Sequence, residues 1–171
     1  RGTKRGTTRK VTIVSDYAHH PTEIEVTLKA VRQKYHGKKI CCVFQPHQYQ
    51  RTYYLFKDFI KVLSEALRPN QGKPQIDELI LTDIYSVAGR EKAAVKKKIS
   101  SRILTRAIKR RLRPDLKRRQ GRVLYLGNLS KTAEYLKKNL RGGEILVVMG
   151  AGDVYHLPSL LTNQEQKEKI K

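Results

Sequence analysis

Short, unbroken apolar runs alternate along this chain with longer stretches in which apolar residues recur every three or four positions. The runs fall at Lys10 to Ser15, Lys39 to Phe44, Glu78 to Asp83, Arg122 to Leu126 and Glu144 to Met149, and their length predicts β-strands. Between and after them, Ile24, Leu28 and Val31 recur at helical spacing. So do Leu55, Phe59, Val62 and Ala66, then Ile103, Ala107 and Ile108, then Leu129, Ala133, Leu136 and Leu140, each set marking one face of a helix. Because the strand runs are continuously apolar rather than alternating, they are expected to be covered on both faces. That combination predicts an α/β fold, a three-layer Rossmann-like sandwich around a mostly parallel sheet of about five or six strands. Gly37, Pro69-Asn70, Pro114 and Gly142-Gly143 stand where helices should end or turn, and Gln71 to Gln75 reads as a loop.

The pattern fades at both ends. Residues 1–10 hold two Gly and three Thr among basic side chains and read as a flexible basic segment near an interdomain linker. Residues 163–171 read as a polar tail, which leaves 11–162 as the α/β domain. A chain of 171 residues is long enough for one such domain with a substantial core. It has no apolar run of about 18 residues and no basic, apolar leader, so a soluble, cytoplasmic protein without a membrane partner is expected. Cys41 and Cys42 are neighbours within a predicted strand and point to opposite faces, so they are poorly placed to bridge each other or to chelate one metal, and read as small buried residues.

Charge adds a second possibility. Lys and Arg number 37 against 15 acidic residues, a net +22, which raises nucleic acid as a partner. The excess is concentrated: Arg1 to Lys10 holds five basic residues and no acidic one, and Arg90 to Arg122 holds fifteen against Glu91 and Asp115. The nearest aromatic residue to the basic segment from Lys96 to Arg122 is Tyr125, which leaves it without interleaved stacking rings. Weak, non-specific retention is expected, and no specific nucleic acid.

Two polar clusters carry the chemistry. Asp16-Tyr17-Ala18-His19-His20-Pro21-Thr22-Glu23 follows the first strand, and Gln45-Pro46-His47-Gln48-Tyr49-Gln50-Arg51-Thr52 follows the second. Ionisable residues at a strand's carboxyl end sit where open α/β sheets bind ligands, and two such ends are expected to share one crevice as neighbours. Pro21 at a first helical position makes a helix amino terminus that faces the loop and is a candidate anion site. Asp16 is suited either to accept from ribose hydroxyls or simply to bond nearby backbone amides. Tyr17, His19 and His20 form a compact set able to hold a zwitterion, supplying donors for a carboxylate and an acceptor for an amine that must lose its proton. Arg51 offers a planar fork that matches a carboxylate bidentately, and so close to a helix start it calls for an anion. His47 is a neighbouring donor or orienting group. The adjacent histidines are not expected to hold a metal. Gly150-Ala151-Gly152-Asp153 reads as a glycine-rich turn that admits close backbone approach of a ligand or a neighbouring domain, with Asp153 a helix cap or a contact.

At these residues the chain resembles the Mur ligases of peptidoglycan synthesis, whose signatures D-Y-A/G-H-H-P-T-E and F-Q-P-H-x-Y/F-x-R-T both stand here in order, with the Gly150 to Asp153 segment downstream. The resemblance runs from Val11 to Leu161, the carboxyl-terminal domain of a three-domain enzyme, and is strongest to the members that join L-alanine to UDP-N-acetylmuramate through an acyl phosphate. It implies that Asp16 contacts the ATP ribose, that Tyr17 and His19, with His47 and Arg51, line the amino-acid pocket, and that His20 orients the loop. It also implies that ATP and Mg²⁺ are bound mainly by a central domain absent from this chain, and that this central domain and an amino-terminal one are its partners. No G-x-x-x-x-G-K-[ST] phosphate loop occurs. Neither a tightly bound cofactor nor a catalytic residue is therefore expected in this domain alone, and the chain by itself should be inactive. Two positions depart from many relatives: Gln48 stands where Arg is common, so one positive charge toward the amino acid is missing, and Ser15 stands where an acidic residue is common. The alternatives are the recycling ligase that attaches a preformed tripeptide to the same nucleotide sugar and, from another class, a basic nucleic-acid-binding module.

Overall fold

The structure, a computed structural model, describes residues 11–69, 73–89, 91–112 and 121–162. Residues 1–10 and 163–171, expected to be a basic segment and a polar tail, residues 113–120, and residues 71 and 72 of the expected loop at 71–75 lie outside the described residues. Strands β1 (Thr12–Asp16), β2 (Ile40–Phe44), β3 (Glu78–Thr82), β4 (Arg122–Gly127) and β5 (Ile145–Met149) form one sheet in the order β1-β5-β2-β3-β4. Every pairing is parallel. Parallel neighbours need crossover connections, and these are supplied by α1 (Pro21–Lys34), α2 (Tyr49–Tyr54) with α3 (Phe56–Leu67), α4 (Ala93–Lys96) with α5 (Ser101–Leu112), and α6 (Leu129–Asn139). A 3-10 turn (Asp153–His156) and α7 (Leu157–Thr162) follow β5.

The three layers follow from the strand order. Connections that step from β1 toward β4 put α1, α3 and α5 on one face, as right-handed crossovers require. The return from β4 to β5 puts α6 on the other. Accordingly Ile24, Leu28, Phe59, Leu63, Leu104 and Ile108 pack with Cys42, Phe44, Leu79 and Leu81, whereas Ala133, Leu136, Val154 and Leu157 pack with Cys41, Val43, Ile80 and Val148. Cys41 and Cys42 thus face opposite layers, both free and buried, and burial raises both thiols above the ordinary range.

Burial on both strand faces holds for β2, β3 and β5, in which every residue is buried. It does not hold for β1 and β4. These are the edge strands, and polar Thr12, Ser15 and Arg122 are exposed there. Five strands are present among the described residues, the lower end of the expected count. One expectation is overturned: the first two strands are not neighbours, because β5 is inserted between β1 and β2.

Candidate functional site

Three loops converge over the carboxyl end of β5: residues 17–20 after β1, 45–48 after β2 and 83–89 after β3. The chain leaves β1 and β2 toward one face and β5 toward the other, which makes this edge a topological switch point of the kind where open sheets bind ligands. Glycine permits the convergence. Gly150 has φ 144, and a Cβ on it would lie 2.8 Å from the Gln45 carbonyl oxygen. Buried Gln45 then ties the loops together, donating from Nε2 to Asp153 Oδ1 at 2.6 Å and accepting from Val154 N at 3.0 Å. Asp153 is therefore a contact, and the glycine-rich turn serves the approach of a neighbouring loop in the same domain.

In the first loop, Asp16 accepts from Ala18 N at 2.7 Å and from the Thr27 hydroxyl at 3.2 Å, local bonds that hold the turn. Glu23 organises the loop more than sequence reasoning anticipated. Its Oε2 accepts from both His19 N and His20 N at 3.0 Å, and those amides hold its carboxyl below the usual range. His20 caps α1, its Nδ1 accepting from Thr22 N at 3.4 Å. The anion site expected at this helix start is corrected accordingly: Glu23, the protein's own carboxylate, already takes the amides of His19 and His20.

The side chains singled out from sequence form a continuous series. Tyr17 meets His19 edge-on with ring centroids 5.3 Å apart, His19 meets His47 edge-on at 5.7 Å, and Arg51 Nη1 lies 3.1 Å from His47 Nδ1. A guanidinium cannot accept, so His47 Nδ1 is the acceptor and the proton of the neutral ring sits on Nε2. His19 is the reverse. Its Nδ1 lies 2.9 Å from the Tyr17 carbonyl, which cannot donate, so the neutral ring carries its proton on Nδ1 and a lone pair on Nε2. One imidazole thus keeps a donor and the other an acceptor. Burial, followed by the charge of Arg51, holds His47 below the ordinary histidine range. Among the described residues Arg51 pairs with no carboxylate.

Gln48 occupies the start of α2 at φ 67, the one non-glycine at positive φ among the described residues. Strain of this kind persists only where surroundings impose it: Gln48 N donates to the Tyr85 carbonyl at 2.8 Å, and its own carbonyl accepts from Thr52 N and Oγ1. Beside β1 and β5 a cleft of about 160 Å³ is lined by Ser15, Asp16, Tyr17, Val148, Gly150, Val154 and Tyr155. No group of three or more His, Cys, Asp or Glu is placed to hold a metal among the described residues. Sequence reasoning missed Tyr85, which stacks on His47, and the cap that Glu91 gives α2 by accepting from Tyr49 N at 3.1 Å. Neither lies in a motif.

The basic region also differs from expectation in one respect. Lys96 lies over the Tyr49 ring, Lys98 over Tyr53 and Arg102 over Tyr125, so folding gives it more aromatic neighbours than Tyr125 alone. No helix among the described residues is long and apolar enough to cross a membrane.

Comparison with known proteins accords with this geometry. The family model described as Mur ligase, glutamate ligase domain, matches residues 1–152. A UDP-N-acetylmuramate–L-alanine ligase of Acetivibrio thermocellus is 36% identical over 95% of this chain and 30% of its own length, and one of Clostridium tetani is 36% identical over 88% and 28%. In fold, the chain resembles the crystal structure of the UDP-N-acetylmuramate-alanine ligase of Thermotoga maritima, with TM-score 0.59 and 20% identity over 92% of this chain and 27% of that one. It also resembles a murein peptide ligase of Psychrobacter arcticus, with TM-score 0.53 and 16% identity over 91% and 27%. The chain thus spans about three tenths of the length of the curated relatives it matches. Its five-stranded parallel sheet, its two loop motifs and these matches together make it a member of the Mur ligase family, namely the family's carboxyl-terminal domain.

Proposed function

We propose that this domain holds the amino acid, and touches the nucleotide ribose, in a cytoplasmic ligase that joins L-alanine to UDP-N-acetylmuramate, with 11–162 as its domain and the amino-terminal and central domains as its partners. The observation that carries this is the unbroken series from Tyr17 through His19 and His47 to Arg51, which pairs with no carboxylate among the described residues. In the whole enzyme ATP would pass its γ-phosphoryl group to the muramoyl carboxylate and leave as ADP, with Mg²⁺ held by the central domain; the alanine amine would then attack the acyl-phosphate carbonyl carbon, give up a proton and expel phosphate as the amide forms.

This chain's residues divide the zwitterion between them. Arg51 and the Nε2–H of His47 take the alanine carboxylate, a charged fork beside a neutral donor. The lone pair on His19 Nε2 accepts from the amine, which must shed a proton before it can attack. Tyr17 closes the pocket over His19, and His20 with Glu23 sets the loop. Asp16 fits a ribose: each carboxylate oxygen carries one internal bond and keeps a lone pair for a hydroxyl, next to a cleft of about 160 Å³. Holding two reactants in line is worth roughly 7 to 11 kcal/mol of barrier, so a domain without a reacting group of its own can still be required for turnover.

The isolated chain should hydrolyse no ATP and form no amide, because it lacks the phosphate loop. A coupled assay with ATP, UDP-N-acetylmuramate and alanine tests this, and turnover by the chain alone would refute it. Side-by-side rates with alanine and with tripeptide on the full-length ligase separate synthesis from recycling, and faster tripeptide transfer would overturn the assignment to alanine.

A further inference from the structure

The pocket has a wall that neither motif supplies. After β3, the segment 83–89 folds back along the second motif: Tyr85 N donates to the Pro46 carbonyl and Gln48 N to the Tyr85 carbonyl, both at 2.8 Å, so His47 and Tyr85 pair as a short parallel bridge. Their rings lie 5.5 Å apart between centroids with planes only 9° from parallel. Gly152 presses on Tyr85, since a Cβ there would lie 2.5 Å from its Cγ. Further along, Glu91 holds the start of α2 through Tyr49 N, and its other oxygen is buried without a hydrogen bond. The loop is thus fastened on both sides of the strained Gln48.

We infer that Tyr85 is a positioning residue for the amino-acid site: its ring fixes the plane of His47, so that Nδ1 stays on Arg51 and Nε2–H is left to donate to the carboxylate of the incoming amino acid. The inference rests on the pocket proposed above. The second side-chain torsion of histidine has a broad, two-fold preference, so an unsupported ring swings and flips. A flip exchanges Nδ1 for a carbon and breaks the bond to Arg51. The stack removes the swing, and the Arg51 bond selects one of the two flips. Only a flat face is needed for this, not the phenol hydroxyl, so phenylalanine should serve and a leucine of similar bulk should not. Tyr85 is 38% exposed, which lets such substitutions be made without opening the core.

Two readouts on the same variants test this. In long-range ¹H–¹⁵N spectra of the chain, wild type and Tyr85→Phe should show His47 protonated on Nε2, whereas Tyr85→Leu should show averaged tautomers. Gly152→Ala should give the same averaging with Tyr85 intact, by displacing it from behind. In the full-length ligase, Tyr85→Leu should raise KM for alanine by about three- to tenfold, the range of an aromatic contact, with kcat within about twofold and Tyr85→Phe near wild type. A His47 spectrum that ignores Tyr85→Leu and Gly152→Ala overturns the inference. A spectrum that changes while KM for alanine stays constant instead overturns the pocket, and with it the role given to Tyr85.

Discussion

Replacing Arg51 by Met probes the proposed pocket most directly, because it removes the charge while keeping most of the apolar stem. A charge-assisted hydrogen bond contributes about 1.5 to 3 kcal/mol, and a fork makes two. Arg51 is half-buried, so water recovers part of the loss, and one bond's worth is the reasonable figure. That corresponds to about a 10- to 150-fold rise in KM for alanine. Arg51→Lys keeps the charge as a point without the fork, so its KM should fall between those of wild type and Met. Stability should respond only modestly. No carboxylate among the described residues is orphaned, and the half-exposed, charge-assisted bond to His47 is worth about 1.5 kcal/mol, a shift in Tm of a few degrees. The assay is steady-state turnover of the full-length ligase with alanine varied at saturating ATP and nucleotide sugar, beside a thermal melt of the chain alone. If KM moves less than twofold, Arg51 does not hold the carboxylate. If instead the melt collapses, Arg51 is a structural residue and its place in the pocket is incidental.

His47 gives a pH dependence whose sign is fixed by its surroundings. Burial, then Arg51, lowers its folded pKa, so near and below the ordinary histidine value the unfolded chain binds more protons. Its contribution to stability is full above that value and is lost as pH falls through the folded one; urea unfolding from pH 7.5 to 5 should therefore show a decline that His47→Gln flattens, and an identical decline in the variant would refute this. At Gln48, glycine accepts φ 67 without strain, so Gln48→Gly should raise stability by about 1 kcal/mol in the same titration. Gln48→Arg should keep the strain and lower KM for alanine by adding a charge, and an unchanged KM would place that side chain outside the pocket. Phe59, fully buried and 5.8 Å from the Phe44 ring, should cost about 3 to 5 kcal/mol on Phe59→Ala, and a loss under 1 kcal/mol in denaturant would contradict the packing described.

The elements were legible because each strand and helix is written locally. Ile40 to Phe44 is apolar on both faces and reads as a buried strand without knowledge of its neighbours. Pro21 with Glu23 marks a helix start in the same local way. Strand order is a different kind of information. Nothing in Ile145 to Met149 says that it enters between β1 and β2, since that position depends on pairings with residues more than 100 positions away. The site inherits both properties. A parallel sheet brings the carboxyl ends of all its strands to one edge, so the motifs after β1 and β2 had to share a neighbourhood whichever strand lay between them, and Tyr17, His19, His47 and Arg51 stand in one series there. Tyr85 and Glu91 were not, although the same rule puts the loop after β3 on the same edge. Their segment holds Asp83, Tyr85, Arg90 and Glu91 but has no periodicity and matches no motif, so pattern gives it no weight. Its importance lies in two backbone bonds and one parallel ring, which are relations between residues about forty positions apart rather than properties of either. The motif thus names the groups that would meet the substrate, whereas the residues that aim those groups can be identified only from the fold.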